Sequence, residues 1–411
     1  MTVDVRALDP ADFDQWYGAV DRAFGGVPED PELEQFWRTV IDPARCLAVY
    51  EGPTVVGTTQ TFALPVSVPG GGFVPTGALS AVSVAATHRR RGILTSMIRR
   101  QLDVLREEGV PLAVLTASEP GIYGRYGFGL ATQQMSLEID SSRVRVEVPE
   151  GGDDVTLRYA PSFAEAAEAC EAVYARSIGT RAGMFLRTPG WERHALIDPP
   201  GFRDGGSPAQ CVLASRGDGE VVGYVRFHTK PVWDAAGPKG VVTLRDICAD
   251  DPAVYGALWR FLCDIDLTST VKAGNRPVDD PLLHLVSDVR RCGVRVRDGL
   301  YVRLVDVGSG LSSRSYSSPV DVVFDVSDSF CGWNAGRWRL SGDGKGAVCS
   351  RTADRADVAL SARDLGAVFL GGVSLSALAS AGRVRELREG ALTEATTAFA
   401  TPLAPWLPHG F

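Results

Sequence analysis

The run from Gly77 to Leu115 constrains this chain more than any other stretch. Gly77 to Val84 alternates small and apolar residues, as a central strand facing a ligand does. After Gly92 the apolar residues Ile93, Leu94, Met97, Ile98, Leu102 and Leu105 recur every three to four positions, which predicts a helix with one buried face. Gly109 ends that helix, and Val110 to Leu115 is a buried strand. Strand, loop, helix and strand in this order call for an α/β fold. The loop itself reads Thr87-His88-Arg89-Arg90-Arg91-Gly92 and ends at a helix N-terminus. Free amides and the positive end of the helix dipole make such a terminus a pyrophosphate site. Gly92 lets backbone approach phosphate, and arginines add charge-assisted contacts. Taken alone, three arginines before a helix also suit a solvated surface turn.

The remaining chain divides by composition. At roughly 150 residues per domain, 411 residues make about three domains. Val148-Pro149-Glu150-Gly151-Gly152-Asp153-Asp154 breaks the apolar periodicity, and Val307-Gly308-Ser309-Gly310 with the Ser-rich run after it does so again. The expected domains are therefore 1–150, 151–306 and 307–411. Arg45 to Tyr50 and Thr54 to Phe62 form a hairpin around Glu51-Gly52-Pro53. In the middle stretch Gln210 to Leu213, Val221 to Phe227 and Val241 to Cys248 repeat that strand order, followed by a helix from Ala253 to about Leu262, with no arginine–glycine loop between. The third stretch has a strand at Val320 to Val326, a Trp/Arg alternation from Gly332 to Leu340 and a helix from Ser361 to about Leu370, an α+β pattern.

A net charge of −8 argues against a nucleic-acid partner, which needs Lys/Arg excess, and fits a cationic substrate better, although soluble proteins are commonly this acidic. The eight cysteines are scattered without CxxC and read as reduced, packed thiols of a cytoplasmic protein. The five histidines show no ligand spacing, so no metal is expected. Met1 to Pro10 lacks the pattern of a secretory signal, and no apolar run approaches the ~18 residues of a membrane span.

Arg89-Arg90-Arg91-Gly92-Ile93-Leu94 resembles the acetyl-CoA loop R/Q-x-x-G-x-G/A of the GNAT superfamily, departing from it only where Leu94 replaces a small residue. Gly121-Ile122-Tyr123-Gly124-Arg125-Tyr126-Gly127-Phe128 and the RRRG loop followed by two aliphatics are similar to the enhanced intracellular survival (Eis) family over nearly the whole chain. That resemblance implies tandem GNAT domains, each a mixed central sheet flanked by helices, then a sterol-carrier-protein-like α+β domain. The second GNAT copy, lacking the loop, is expected not to bind coenzyme A. Hexamer assembly is implied by the resemblance alone.

The resemblance also implies roles. Arg89, Arg90, Arg91, Gly92, Ile93, Leu94 and Ser118 bind acetyl-CoA, and backbone amides at Val82, Ser83 and Val84 polarise its carbonyl. Tyr123 is the expected general acid, with Tyr126 the competitor three residues later. The base is the α-carboxylate of Phe411, on a tail stiffened by Pro402, Pro405 and Pro408, with His409 as a supplementary group and Gly410 where some members carry an acid. Phe24, Phe36 and Trp37 are expected to wall the acceptor pocket. Glu29, Asp30, Glu32 and Glu34 either face a polyamine or decorate the first turn of an exposed helix. Gly25-Gly26 stands where some relatives are acidic, so the acceptor stays open between aminoglycoside-like cations and lysine side chains. The competing reading is a non-catalytic lipid or small-ligand binder using the C-terminal domain.

Overall fold

A computed structural model describes residues 4–217 and 219–411. They form two compact units, one comprising the chain up to Gln133 with Arg181–Thr188 and Asp298–Phe411, the other Gln134–Thr180 with Pro189–Arg297.

In the first unit β1 (Asp4–Ala7), α1 (Phe13–Ala23) and α2 (Pro31–Val40) precede the hairpin of β2 (Cys46–Glu51) and β3 (Thr54–Ala63). Gly52 turns that hairpin at φ 59, and Asp30 caps α2 by accepting from the Glu32 amide at 3.0 Å. The short β4 (Val66–Ser67) follows, then β5 (Thr76–Val84), α3 (Ile93–Glu107), β6 (Leu112–Thr116) and β7 (Gly129–Leu130). The helix sits where the periodicity predicts it. Its face of Ile93, Met97, Ile98, Leu102 and Leu105 is buried. The sheet beneath makes room with glycines: a Cβ at Gly57 would come within 2.9 Å of Ile93, and one at Gly77 within 2.6 Å of Leu105.

The second unit holds β8 (Gln133–Asp140), β9 (Thr156–Tyr159), α4 (Ala167–Ser177), β10 (Gln210–Arg216), β11 (Glu220–Lys230), β12 (Gly240–Ala249), α5 (Pro252–Cys263), β13 (Thr268–Arg276) and β14 (Arg295–Asp298). Its seven-stranded sheet runs β9-β10-β11-β12-β13-β8-β14, packed on a core of Phe227, Val254, Leu258, Trp259 and Leu262. A strand that precedes residue 150 thus completes the sheet of the later sequence. The reverse holds for β15 (Leu300–Leu304), which pairs antiparallel with β6 from Leu300↔Thr116 to Leu304↔Leu112. The first sheet is therefore β1-β2-β3-β5-β6-β15-β7. Cuts at 150 and 306 do not follow these sheets, because composition marks linkers and carries no record of which strand pairs with which.

The C-terminal part begins with α6 (Val307–Ser312), a helix capped by Asp306 at the place where the sequence suggested the end of the second stretch. It continues with β16 (Val320–Ser327), β17 (Gly336–Asp343), β18 (Gly346–Arg351), β19 (Val358–Ser361), α7 (Ala362–Val368), α8 (Leu375–Ser380), β20 (Arg385–Glu386) and α9 (Ala391–Phe399), the strands ordered β18-β17-β16-β19-β20. Phe324, Leu365, Phe369 and Phe399 fill its interior. The buried guanidinium of Arg314 donates to the carbonyls of Ser315, Phe369 and Phe399, satisfying the ends of α7 and α9, and burial lowers its pKa to about 10. Among the described residues no helix is long and apolar enough to cross a membrane.

The exchanged strand predicts an outcome for truncation. Residues 1–150 alone lack β15, leave the edge of β6 unpaired, and should show no cooperative thermal transition by near-UV circular dichroism, whereas the full chain should show one. A sharp transition in the fragment would contradict the role given to β15.

Candidate active site

The site begins where two neighbouring strands part. β5 pairs in parallel with β6 only through Thr76↔Leu112, Gly77↔Ala113 and Ala78↔Val114, yet β5 continues to Val84. On its other edge β5 stays paired with β3 as far as Gly57↔Val84, across a register shift between Thr58 and Gln60. Ala81 takes φ 50 there, and Thr58 Oγ1 donates to its carbonyl at 2.7 Å while lying 2.7 Å from Ser83 Oγ. From Leu79 onward the edge of β5 that faces away from β3 is free of β6. Val82, Ser83 and Val84 lie on this opened segment.

Next along the chain, Gly92 adopts φ 80 at the N-cap of α3, with no side chain capping the amides that follow. The first helical bond is Ser96 N–H to Gly92 O at 3.0 Å. Arg89, Arg90 and Arg91 are exposed around it. Arg91 reaches Thr87 O at 3.2 Å and Glu51 at 3.4 Å, and His88 Nε2 lies 2.7 Å from the same carboxylate. His88 and then Arg91 hold the Glu51 pKa below its ordinary value. Ile93 points into the core and Leu94 is half-buried, so these two have main-chain amides, not side chains, to offer a phosphate. The matching helix of the second unit differs in one respect. The Asp251 carboxylate accepts from the amides of Ala253 and Val254 at 2.9 Å each, so the N-terminus of α5 already holds an anion.

Tyr123 opens a 3-10 turn, Tyr123–Tyr126, closed by Gly127 at φ 82. Its ring joins a cluster with Leu79, Leu102 and Phe128, against which Val82 and Leu94 also pack. Burial pushes the phenol up to about 12, with Tyr126 and Glu119 adding to it. Tyr126 is committed elsewhere, its ring 5.0 Å from Phe330 and its hydroxyl 3.2 Å from Thr95 Oγ1. Ser118 is exposed in the loop between β6 and the turn. Beneath the turn lies Arg303 of β15, fully buried and ion-paired with Asp328. A Cβ at Gly127 would meet its Nη1 at 1.8 Å, so the guanidinium wedges directly against this backbone.

The chain's last residue reaches the opened strand. Ser80 Oγ donates to the main-chain oxygen of Phe411 at 3.1 Å, and the Phe411 ring packs edge-on against Phe185, centroids 5.2 Å apart. Of the three aromatics expected as pocket walls, Phe36 and Trp37 stay together on α2, rings edge-on with centroids 5.0 Å apart, and Phe24 lies on α1's end. Phe36 is buried, Trp37 is half-buried with its ring 6.2 Å from Phe62, and Phe24 is 60% exposed at the end of α1. The acids divide too. Asp30 caps α2 and Glu34 pairs with Arg38, whereas Glu29 turns back to accept from the Tyr17 hydroxyl. Burial raises the Glu29 pKa, partly offset by the Tyr17 hydrogen bond, and Asp21 and Glu34 raise it further; burial, then Glu34, raises Asp21. Tyr17, Asp21, Ser80, Phe185 and Arg303 escaped the sequence reading, since each acquires its place through residues distant in the chain.

Residues 4–131 and 183–304 each match a family described as acetyltransferase (GNAT) domain, and residues 307–408 match a sterol carrier protein domain. Over its full length the chain is 60% identical to an uncharacterized N-acetyltransferase of Streptomyces avermitilis, all of which is covered. The N-acetyltransferase Eis of Mycobacterium tuberculosis is 33% identical across 90% of both chains. The crystal structure of Eis1 from Mycobacterium abscessus is 31% identical and superposes over 100% of both chains with a TM-score of 0.82. Tandem GNAT domains followed by a sterol-carrier-type domain thus define an N-acetyltransferase that uses an acyl-coenzyme A donor. The chain belongs to the Eis family. That membership sets aside the non-catalytic binding protein, and the C-terminal core is filled by its own side chains.

Gly92→Val should weaken coenzyme A binding at least tenfold by titration calorimetry. A branched side chain at this left-handed φ costs about 1–2 kcal/mol and projects from the uncapped amides. Unchanged affinity would remove the loop from the binding site.

Proposed function

We propose that this enzyme transfers the acetyl group of acetyl-CoA to the amine of a cationic small molecule, aminoglycoside-like or polyamine, or of a lysine side chain. The hydrogen bond from Ser80 to the Phe411 main-chain oxygen carries the proposal, because it brings a carboxyl group to the opened part of β5. Arg89, Arg90, Arg91 and Ser118, with the amides of Gly92, Ile93 and Leu94, hold the phosphates. Amides at Val82, Ser83 and Val84 stabilise charge developing on the thioester oxygen. An alkylamine of pKa ~10 arrives protonated, and the Phe411 carboxylate takes its proton so that nitrogen can attack the acetyl carbon. When the carbon–sulfur bond breaks, Tyr123 donates its proton to the departing sulfur. Its raised pKa supports this role, since the phenol remains in the donor form.

A cationic acceptor is supported by Glu29 and Asp21: burial, Asp21 and Glu34 raise the Glu29 pKa, burial and Glu34 raise that of Asp21, and a positive charge nearby would relieve both. Phe24 and Trp37 offer apolar surface beside these acids. The capped N-terminus of α5 supports a single coenzyme A per chain.

Tyr123→Phe should lower kcat by a factor of roughly 10²–10⁴ with little change in coenzyme A affinity, while Tyr126→Phe should cost far less. With a phenol at about 12, no alkaline fall in kcat assignable to Tyr123 should appear below pH 10. Deleting Phe411, or extending the C-terminus by a short tag, should abolish transfer to alkylamines at neutral pH while coenzyme A still binds. Part of the rate should return as pH approaches the amine's own pKa. Full activity of the extended protein at pH 7 would exclude the carboxylate as base.

A further inference from the structure

The C-terminal tail is not laid against the first sheet directly at every point. The segment Arg181–Thr188, flanked on both sides by residues of the other unit, belongs to the first unit and lies between β4 and the tail. One edge follows β4. Gly183 N–H donates to Ser67 O at 2.8 Å, Ser67 N–H to Met184 O at 2.8 Å, Leu186 N–H to Pro65 O at 2.9 Å, and Val66 bridges Phe185 in antiparallel register. Ser67 Oγ adds a bond to Arg181 O at 2.8 Å and accepts one from the Met184 amide at 2.9 Å. The other edge meets the tail. Trp406 N–H donates to Ala182 O at 2.8 Å, and Arg181 Nη1 donates to Ala404 O.

Two further contacts act closer to the chain end. Phe185, fully buried, presents its ring to both Phe411 at 5.2 Å and His409 at 6.4 Å. Arg187 Nε donates to His409 Nε2 at 3.5 Å, while His409 Nδ1 lies 3.1 Å from Gly410 O. With the ring proton on Nδ1 facing that carbonyl, Nε2 is left as the acceptor, and the two bonds are mutually consistent. Arg187 therefore orients His409, which orients the last peptide unit before Phe411. At Gly183 the approach is so close that a Cβ would sit 3.0 Å from Trp406 O and 3.2 Å from Trp406 N, at a φ of +94.

We infer that Arg181–Thr188 is a clamp that fixes the C-terminal tail, with Arg187 and Phe185 as positioning residues that hold the Phe411 carboxylate at Ser80. The inference rests on the proposed role of that carboxylate as base. Three prolines stiffen the tail but give it no address; the clamp supplies one, so that the carboxylate is preorganised and no ordering cost falls on each turnover.

The test uses the full-length protein with spermine as acceptor and two independent readouts. The first is the rate at which a carboxypeptidase specific for aromatic C-termini releases Phe411. The second is steady-state kinetics across pH 7 to 10. Gly183→Val, Arg187→Met and the gentler Phe185→Leu should each speed Phe411 release at least tenfold. Each should also lower kcat at pH 7 at least tenfold, with the KM for acetyl-CoA unchanged within twofold and the deficit shrinking toward pH 10. Arg187→Lys should recover part of the loss. Combined with deletion of Phe411 and measured near pH 10, where part of the rate returns, Arg187→Met should cause no further loss, because both changes act through one group. Unchanged Phe411 release in all three variants overturns the clamp. Faster release with full activity overturns the catalytic role of the carboxylate instead, and a rate loss that is pH-independent and additive with the deletion overturns the positioning role.

Discussion

The early end of the β5–β6 pairing is the constraint on which the rest of the site depends. Three paired residues hold the strands together, after which β5 keeps only its β3 partner. The register shift at Thr58 and the left-handed Ala81 turn β5 away, at a backbone cost on the order of 1–3 kcal/mol. That cost is offset by pairing with β3 on both sides of the shift and by the Thr58 hydroxyl bonded to the Ala81 carbonyl. The opened edge then decides what can be built around it. The tyrosine turn packs beside Leu79 and Val82, and the chain terminus is drawn to Ser80. Were β6 to pair along the full length of β5, that edge would carry no open main-chain groups from Leu79 to Val84.

The two GNAT-type units answer the same electrostatic question at a helix N-terminus in opposite ways. In the first, glycine precedes α3 and no side chain caps the amides that follow; in the second, aspartate precedes α5 and accepts from its first amides. A single side chain at the N-cap separates a helix N-terminus left open from one that carries its own anion. Arg303 and Asp328 are a related case within the first unit. Neither could be buried alone, and together they brace the turn that carries Tyr123.

Legibility of the chain from sequence followed the range of the interaction. The strand, arginine loop and helix from Gly77 to Glu107 are written in neighbouring residues, so periodicity and capping rules locate them. The tyrosine turn was visible because its residues are contiguous, Gly121 to Phe128, so that a family resemblance could be read from one short run. Long-range pairing left no such signature. Ser80 and Phe411 stand 331 positions apart, and nothing local to Ser80 marks it as the partner of a carboxyl group. The exchanged β8 alternates and β15 is a short, wholly buried run, and neither pattern says which sheet it joins. Glu29 sits in an acidic run that looked uniform, and only the fold divides it into a helix cap, an arginine partner and a carboxylate tied to Tyr17.

The exchange of β15 has a consequence for how the protein comes into being. On a ribosome moving at about 5–20 residues per second, β6 emerges roughly 10–40 seconds before Leu300–Leu304 can pair with it. During that interval its buried-type edge is a template for any extended chain nearby, including the same segment of a neighbouring nascent chain. Assembly of the first sheet is thus a late, long-range event that cannot proceed vectorially. Mutations that slow the emergence or pairing of β15 would act on yield and aggregation without touching the chemistry of the finished enzyme.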